Sequence, residues 1–234
     1  MIAREGWTLI LIGLVLTVVL IWAATRWDNW PTFVLSLIFG VLTIFTIFFF
    51  RDPDRTIPLA PNLLVAPADG KIVAVDTLET HPHVGAQVLK VSIFLSIFDV
   101  HVNRTPIAGV VDYVRYNPGK FFAAFQDKAS ELNEQTEIGM TTESGQKIAF
   151  KLIAGFIARR IVCTLEAKDE VVTGQRCGMI RFGSRADLLV PADTRLDVKL
   201  GDRVKGGKTV IGTLSGRASG SAAPSAAEGH DARL

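Results

Sequence analysis

From Gly6 to Thr25 the chain carries no charged residue, and after Arg26-Trp27-Asp28 a second uncharged run extends from Asn29 to Phe50. Each run is long enough to cross about 30 Å of hydrocarbon as a helix, so the pattern predicts a helical hairpin in a membrane. The pattern changes at Arg51. Arg51 to Asn62 reads as a Pro-rich charged linker, after which short apolar runs alternate with Gly and Pro punctuation, the mark of a mostly β domain. Within it, Leu63–Val75 predicts a hairpin around Asp69-Gly70, and Val88–Phe98 and Ile107–Tyr116 predict strands. Lys147–Ala154 and Ile157–Leu165 suggest a further pair. One helix is expected from Gly119 to Asn133, where Phe121, Phe122, Phe125, Ala129 and Leu132 fall near helical spacing. That stripe suits either core packing or contact with a bilayer. Ser215 to Leu234, rich in Gly, Ala and Ser, is expected to be disordered. The expected organisation is therefore an anchor over 1–50, a linker over 51–62, a domain over 63–214 and a tail over 215–234.

The four tryptophans, Trp7, Trp22, Trp27 and Trp30, lie near the ends of the apolar runs, at headgroup level for a membrane hairpin. A secretory signal is the competing reading, with Arg4 before an apolar core and Ala23-Ala24 as a cleavage region, but the second apolar run opposes it. Flanking cations number one before the first run (Arg4), one in the turn (Arg26) and two after the second (Arg51, Arg55). This bias places both hairpin ends and the domain on the cytoplasmic side of the cell membrane.

In the second half, Asp169-x-Val171-x-x-Gly174 recurs as Asp202-x-Val204-x-x-Gly207. The pattern resembles the turns of lipoyl- and biotinyl-carrier sandwiches, and the expected fold class is mainly β, a β-sandwich or barrel-sandwich hybrid with a short helix, preceded by the hairpin. A net charge of +2 with scattered basic residues gives no reason to expect nucleic acid as a partner. Cys163 and Cys177 are the only cysteines. They read as buried thiols in a reducing compartment, and no metal is implied. His81 and His83, in a Pro-containing loop, are expected to be exposed and inert.

The most informative dipeptide is Gly183-Ser184, inside Met179-Ile-Arg-Phe-Gly-Ser-Arg-Ala-Asp-Leu-Leu-Val-Pro191. Alone it is an ordinary turn signal. Other blocks accompany it: Phe50-Arg-Asp-Pro-Asp-Arg-Thr-Ile-Pro58, Ala66-Pro-Ala-Asp-Gly70, Phe98-Asp-Val-His-Val-Asn-Arg104, Asn117-Pro-Gly-Lys-Phe121 and Gly174-Gln-Arg-Cys-Gly178. Together, from about Phe50 to Leu214, the chain resembles the short bacterial and archaeal form of the phosphatidylserine decarboxylases. The resemblance implies autocatalytic cleavage between Gly183 and Ser184 into a β chain (1–183) and an α chain (184–234) that stay together as a heterodimer. It further implies that Ser184 becomes a pyruvoyl group. This group forms a Schiff base with phosphatidylserine drawn from the bilayer and yields phosphatidylethanolamine and carbon dioxide.

On the same resemblance, His101 is the acid/base candidate and Asp69 its orienting carboxylate. Asp-Gly is also a common hairpin turn, which is the plain alternative for Asp69. Longer family members carry a second histidine where this chain has Asn103-Arg104, which leaves open whether His101 serves cleavage, protonation or both. Arg104, Lys120 and Arg185 are candidates for binding the lipid phosphate or carboxylate. Homo-oligomers are compatible with membrane anchoring. Two rivals are a membrane-anchored, lipoyl-like carrier without enzymatic activity and an uncleaved serine hydrolase using Ser184, His101 and Asp69. The first lacks a Met-Lys pair for modification, and the second lacks a Gly-x-Ser-x-Gly elbow.

Overall fold

The structure is a computed structural model and describes residues 1–119, 133–155, 161–180 and 184–215. Two helices, α1 (Trp7–Trp27) and α2 (Trp30–Phe49), form the predicted N-terminal hairpin. Asp28 turns the chain in the left-handed conformation, and Pro31 opens α2, where its missing N–H costs nothing. Small residues let the helices meet: a Cβ on Gly13 would lie 2.6 Å from Thr43 Oγ1, and Thr17 and Thr43 hydroxyls approach to 3.4 Å. The outward faces are apolar and open, with Val18, Phe33 and Ile44 exposed. Both helices are long and apolar enough to cross a membrane, which suggests membrane association.

The hairpin is sewn to the domain at its lower end. Asp52 N–H donates to Met1 O and Ala3 N–H to Phe50 O. Ala3, Phe49 and Phe50 then pack with Val100, Val102 and Met179. Segment 51–62 is irregular but tied down, because Asp52 receives both Arg104 and Arg176.

Among the described residues fourteen antiparallel strands follow: β1 (Leu63–Val65), β2 (Gly70–His81), β3 (Gly85–Leu95), β4 (Val102–Arg104), β5 (Gly109–Asn117), β6 (Gln135–Thr142), β7 (Lys147–Ala154), β8 (Ile161–Cys163), β9 (Glu170–Val171), β10 (Arg176–Ile180), β11 (Ser184–Pro191), β12 (Arg195–Leu196), β13 (Arg203–Val204) and β14 (Val210–Thr213). They make a long sheet in the order β13-β2-β3-β11-β7-β6-β5-β9 and two short ones, β1-β14-β12 and β4-β10-β8. The order has an internal two-fold: β13, β2, β3 and β11 mirror β9, β5, β6 and β7, and the short sheets correspond strand for strand. Contacts repeat with it. Val65 N–H donates to Pro106 O and Arg104 N–H to Pro67 O, both at 2.8 Å, and Gly207 and Gly174 donate to Ala66 and Thr105. This is the physical basis of the sequence echo: Gly174 and Gly207 hold φ of +75° and +71°, where a side chain is strained.

One half, β4–β10, is continuous. The other is assembled from β1–β3 and β11–β14, so the chain leaves it after β3 and returns to it at β11. Ala186, Leu188 and Val190 of β11 enter the main core with Ile93, Ile138 and Phe150, while Leu189 joins Val84, Val88 and Ala149 in a second cluster. Both faces of β11 are thus covered, and all eight of its residues are buried.

Three expectations are corrected. Asp69-Gly70 is not a hairpin turn, because β1 pairs with β14 while β2 pairs with β3 and β13. Lys147–Ala154 pairs with β6 and β11, whereas β8 pairs with β10. His81 is buried rather than exposed: the β2–β3 hairpin carries it to Glu137, at 3.7 Å, and His83 reaches Asp112 at 3.3 Å. Cys177 is buried as expected, but Cys163 only partly so, and both thiols are free. The expected helix falls on residues 120–132, outside the described residues.

Candidate active site

Strand register brings the chemical candidates to one rim of the long sheet. Lys71 pairs with Phe94, and Ser184 pairs with Leu95 on one side and Ala154 on the other. Gly70, Leu95, Ser184 and Ala154 therefore form one row. With strands about 4.8 Å apart, Gly70 and Ser184 are separated by about 10 Å across β3. Gly70 stands where a Cβ would meet Phe94 O at 2.1 Å, so glycine is required for β2 to close on β3. Asp69 precedes it directly. Ser96–His101 leaves the row at Leu95 and leads to β4, which pairs with β10. Ile180 ends β10, the partner of β4, and Ser184 opens β11, the partner of β3. Gly183 and Lys120 lie outside the described residues.

Ser184 is fully buried and its Oγ has no hydrogen-bond partner among the described residues. His101 is fully buried too, with its ring 4.3 Å from that of Phe49. Its Nδ1 lies 2.9 Å from Asp99 O. A carbonyl only accepts, so Nδ1 carries the proton and the unpartnered Nε2 presents its lone pair. Ser96 fixes this loop by donating its N–H and Oγ–H to Asp99 Oδ2 at 2.9 and 2.7 Å. Burial pulls the imidazole down to about 4, against the opposing pull of the Asp99 carbonyl and carboxylate. It is therefore a neutral base at neutral pH.

Asp69 is not hydrogen-bonded to His101. Its Oδ2 accepts from Arg55 and its Oδ1 from Gly206 N–H, both at 2.8 Å. In the other half of the two-fold, Ala108 occupies the place of Asp69 and donates its N–H to Thr173 Oγ1 at 2.9 Å. The carboxylate thus exists only at the Ser184 end. Arg104 and Arg185 are committed elsewhere. Arg104 donates to Gly174 O at 2.9 Å and pairs with Asp52 at 3.3 Å. Arg185, 1% exposed, pairs with Asp187 at 2.7 Å and donates to Ser92 Oγ at 2.6 Å. Both guanidinium groups thus brace the fold.

Sequence reading passed over two asparagines. Asn103, fully buried in β4 two residues after His101, has neither amide atom partnered among the described residues. The alternation His101-Val-Asn103 was the available signal. Asn133 donates Nδ2–H to Ala154 O at 2.8 Å, anchoring the residue opposite Ser184. Among the described residues no group of His, Cys, Asp and Glu has the arrangement of a metal site.

The site thus holds a buried serine hydroxyl at the head of β11 and, at the end of the loop that leaves β3, a buried neutral imidazole. The sequence model of the family described as phosphatidylserine decarboxylase matches residues 42–212. A phosphatidylserine decarboxylase proenzyme of Desulfotalea psychrophila is 46% identical over 91% of this chain and 96% of its own length. The corresponding proenzyme of Symbiobacterium thermophilum is 43% identical over 91% and 95%. That of Rickettsia typhi is 49% identical over 73% and 75%. The chain belongs to the phosphatidylserine decarboxylase family, a family of carboxy-lyases.

Proposed function

We propose that this chain is a membrane-anchored, self-processing decarboxylase of phosphatidylserine, with its domain on the cytoplasmic face of the cell membrane. The observation that carries this reading is Ser184: a fully buried serine heading β11, with an unpartnered Oγ on the rim that holds His101 and Asp69. A buried hydroxyl without a partner costs about 1–3 kcal/mol, a cost that serves no packing purpose. Ser184 Oγ attacks the Gly183 carbonyl as its proton passes to a base. The amide C–N bond breaks and an ester forms. Loss of the Ser184 Cα proton and cleavage of the Cβ–O bond release the Gly183 carboxylate and leave dehydroalanine. Its imine tautomer takes up water and loses ammonia to give a pyruvoyl end. When present, that group supplies a ketone for the headgroup amine and an electron sink for carbon dioxide loss. His101 Nε2 serves as the base and then returns a proton, and Asp69 sets the charge of the rim through Arg55.

The α and β fragments remain one molecule on this reading, because β11 is held between β3 and β7 along its length. The Phe49–His101 contact supports the reading, because it sets His101 against the end of α2, where a bilayer headgroup would stand.

The test is the intact mass of the wild-type protein under denaturing conditions. Two chains are expected, divided between residues 183 and 184. The smaller should have a blocked N-terminus that borohydride reduces. One unmodified chain in an active preparation overturns the reading, and ester hydrolysis by that chain would favour the serine hydrolase.

His101→Gln should slow self-cleavage by about 10²–10⁴-fold. Wild-type cleavage should be level between about pH 5 and 8 and decline only as pH falls through about 4. The same depressed value means that the unfolded chain binds a proton first, so stability falls as pH drops from 6.5 to about 4. A cleavage profile that halves near pH 6.5 would instead mark a base with the ordinary imidazole value and overturn the burial-depressed one.

A further inference from the structure

A cleft of about 410 Å³ opens between the end of α2 and the turn joining β13 to β14, lined by Arg51, Arg55, Asp69, Val100, Lys205 and Lys208. Its acids are already matched: Asp69 pairs with Arg55 at 2.8 Å, and Asp54, also at the cleft, pairs with Arg176 at 3.1 Å. Among the described residues no carboxylate lies within ion-pair distance of Arg51, Lys205 or Lys208. The cleft therefore holds three cations without an ion-pair partner among the described residues.

Arg51 is held through its guanidinium, and the two lysines through their backbone. Arg51 stacks 3.9 Å over the Phe48 ring and donates to the carbonyls of Phe48 and Phe98. Lys205 N–H donates to Thr209 Oγ1 at 2.9 Å, and Lys205 O receives the N–H groups of Lys208 and Thr209. Between the lysines, Gly206 N–H is fixed on Asp69 and Gly207 N–H on Ala66. The two lysines thus project from a rigid turn set on the Asp69 carboxylate.

The internal two-fold supplies a control. The equivalent cleft in the other half is lined by Ile107, Ala108, Val172 and Thr173, with Glu143 and Ser144, and no lysine or arginine lines it. Val172 occupies the place of Lys205 and Gln175 that of Lys208, by the same offset that relates Gly174 to Gly207. The turn folds without cations, so the lysines are not there for the fold. One end of the cleft adjoins the membrane hairpin through Arg51 and Val100, and the other reaches Asp69.

We propose that Lys205, Lys208 and Arg51 form the binding site for the phosphodiester of the lipid headgroup, holding it at the membrane boundary while the amine-bearing end extends to the rim. The proposal rests on the decarboxylase reading above for the identity of the lipid. The chemistry recognised is a monoanionic phosphodiester. Nζ and guanidinium groups match it by charge and by charge-assisted hydrogen bonds.

The experiment uses the full chain carrying Ser184→Ala in zwitterionic micelles, with glycerophosphoethanolamine titrated as probe. Lys205→Ala/Lys208→Ala should weaken binding by about tenfold or more, as loss of charge-assisted bonds does. Lys205→Arg/Lys208→Arg should stay within about threefold. Binding of 2-methoxyethylamine, which has the amine but no phosphate, should not change. Equal affinity of the alanine variant and its parent for glycerophosphoethanolamine overturns the proposal. So does loss of adhesion to phosphatidylglycerol vesicles with that affinity intact, which would make the cations a general surface attractant. Because the titration needs neither cleavage nor decarboxylation, it can succeed where the catalytic reading fails. In the processed enzyme the same alanine pair should raise KM for phosphatidylserine more than it lowers kcat.

Discussion

Ser184→Ala is expected to leave a single chain of 25.4 kDa with no decarboxylase activity. It should also leave a fold at least as stable as that of an unprocessed wild-type chain. The first outcome follows from chemistry, because no other atom at this position can attack the preceding carbonyl or lose a leaving group from Cβ. The second follows from burial. Ser184 Oγ is enclosed and unpartnered, so deleting it relieves about 1–3 kcal/mol of desolvation. It leaves only a methyl-sized side chain in a strand bonded on both sides. A melting temperature equal to or a few degrees above that of His101→Gln precursor, with no cleavage after prolonged incubation, is the expected pair of results. A precursor that still splits at 183/184 would show that Ser184 is not the nucleophile. One that unfolds would show that the hydroxyl has a structural partner.

How much of this could be read beforehand depends on the kind of signal. The hairpin was plain because two long uncharged runs have few alternatives. Glycines with positive φ gave the repeat away, since the turn after β9 and the turn after β13 need the same conformation at Gly174 and Gly207. Strand pairing was not available. Asp69-Gly70 has the composition of a hairpin turn, yet the chain there passes between two sheets, and only the two-fold arrangement explains why. The buried polar face of β11 was equally hidden: Arg185 was a candidate anion ligand and Asp187 had no role, and only the neighbouring strands show that they are enclosed together as a pair. The same enclosure sets Arg104 and Arg185 in ion pairs with Asp52 and Asp187. The cleft cations proposed to bind the phosphodiester, Arg51, Lys205 and Lys208, are ones that sequence alone gives no reason to group.

The ion pair inside β11 yields the second large expectation. Arg185→Met, made in the Ser184→Ala background so that the chain is covalently intact, should destabilise the domain by roughly 3–5 kcal/mol. For a chain of this size that is a fall in melting temperature on the order of 10 °C. The cause is the Asp187 carboxylate, 1% exposed, deprived of the guanidinium 2.7 Å away. Arg185 also donates to Ser92 Oγ, so the loss reaches β3 as well as β11. Arg185→Met with Asp187→Leu removes both charges and should recover most of the loss, because a buried pair contributes little beyond a well-packed apolar one. With Ser184 restored, the double variant separates two roles for Arg185. If the arginine only braces the strand, the stable double variant still cleaves itself and decarboxylates, since the rim is set by the register of Ser184 against Leu95 and Ala154. If it binds the substrate carboxylate or phosphate, the double variant is stable and cleaved but its KM rises steeply. The ion-paired geometry favours the first outcome.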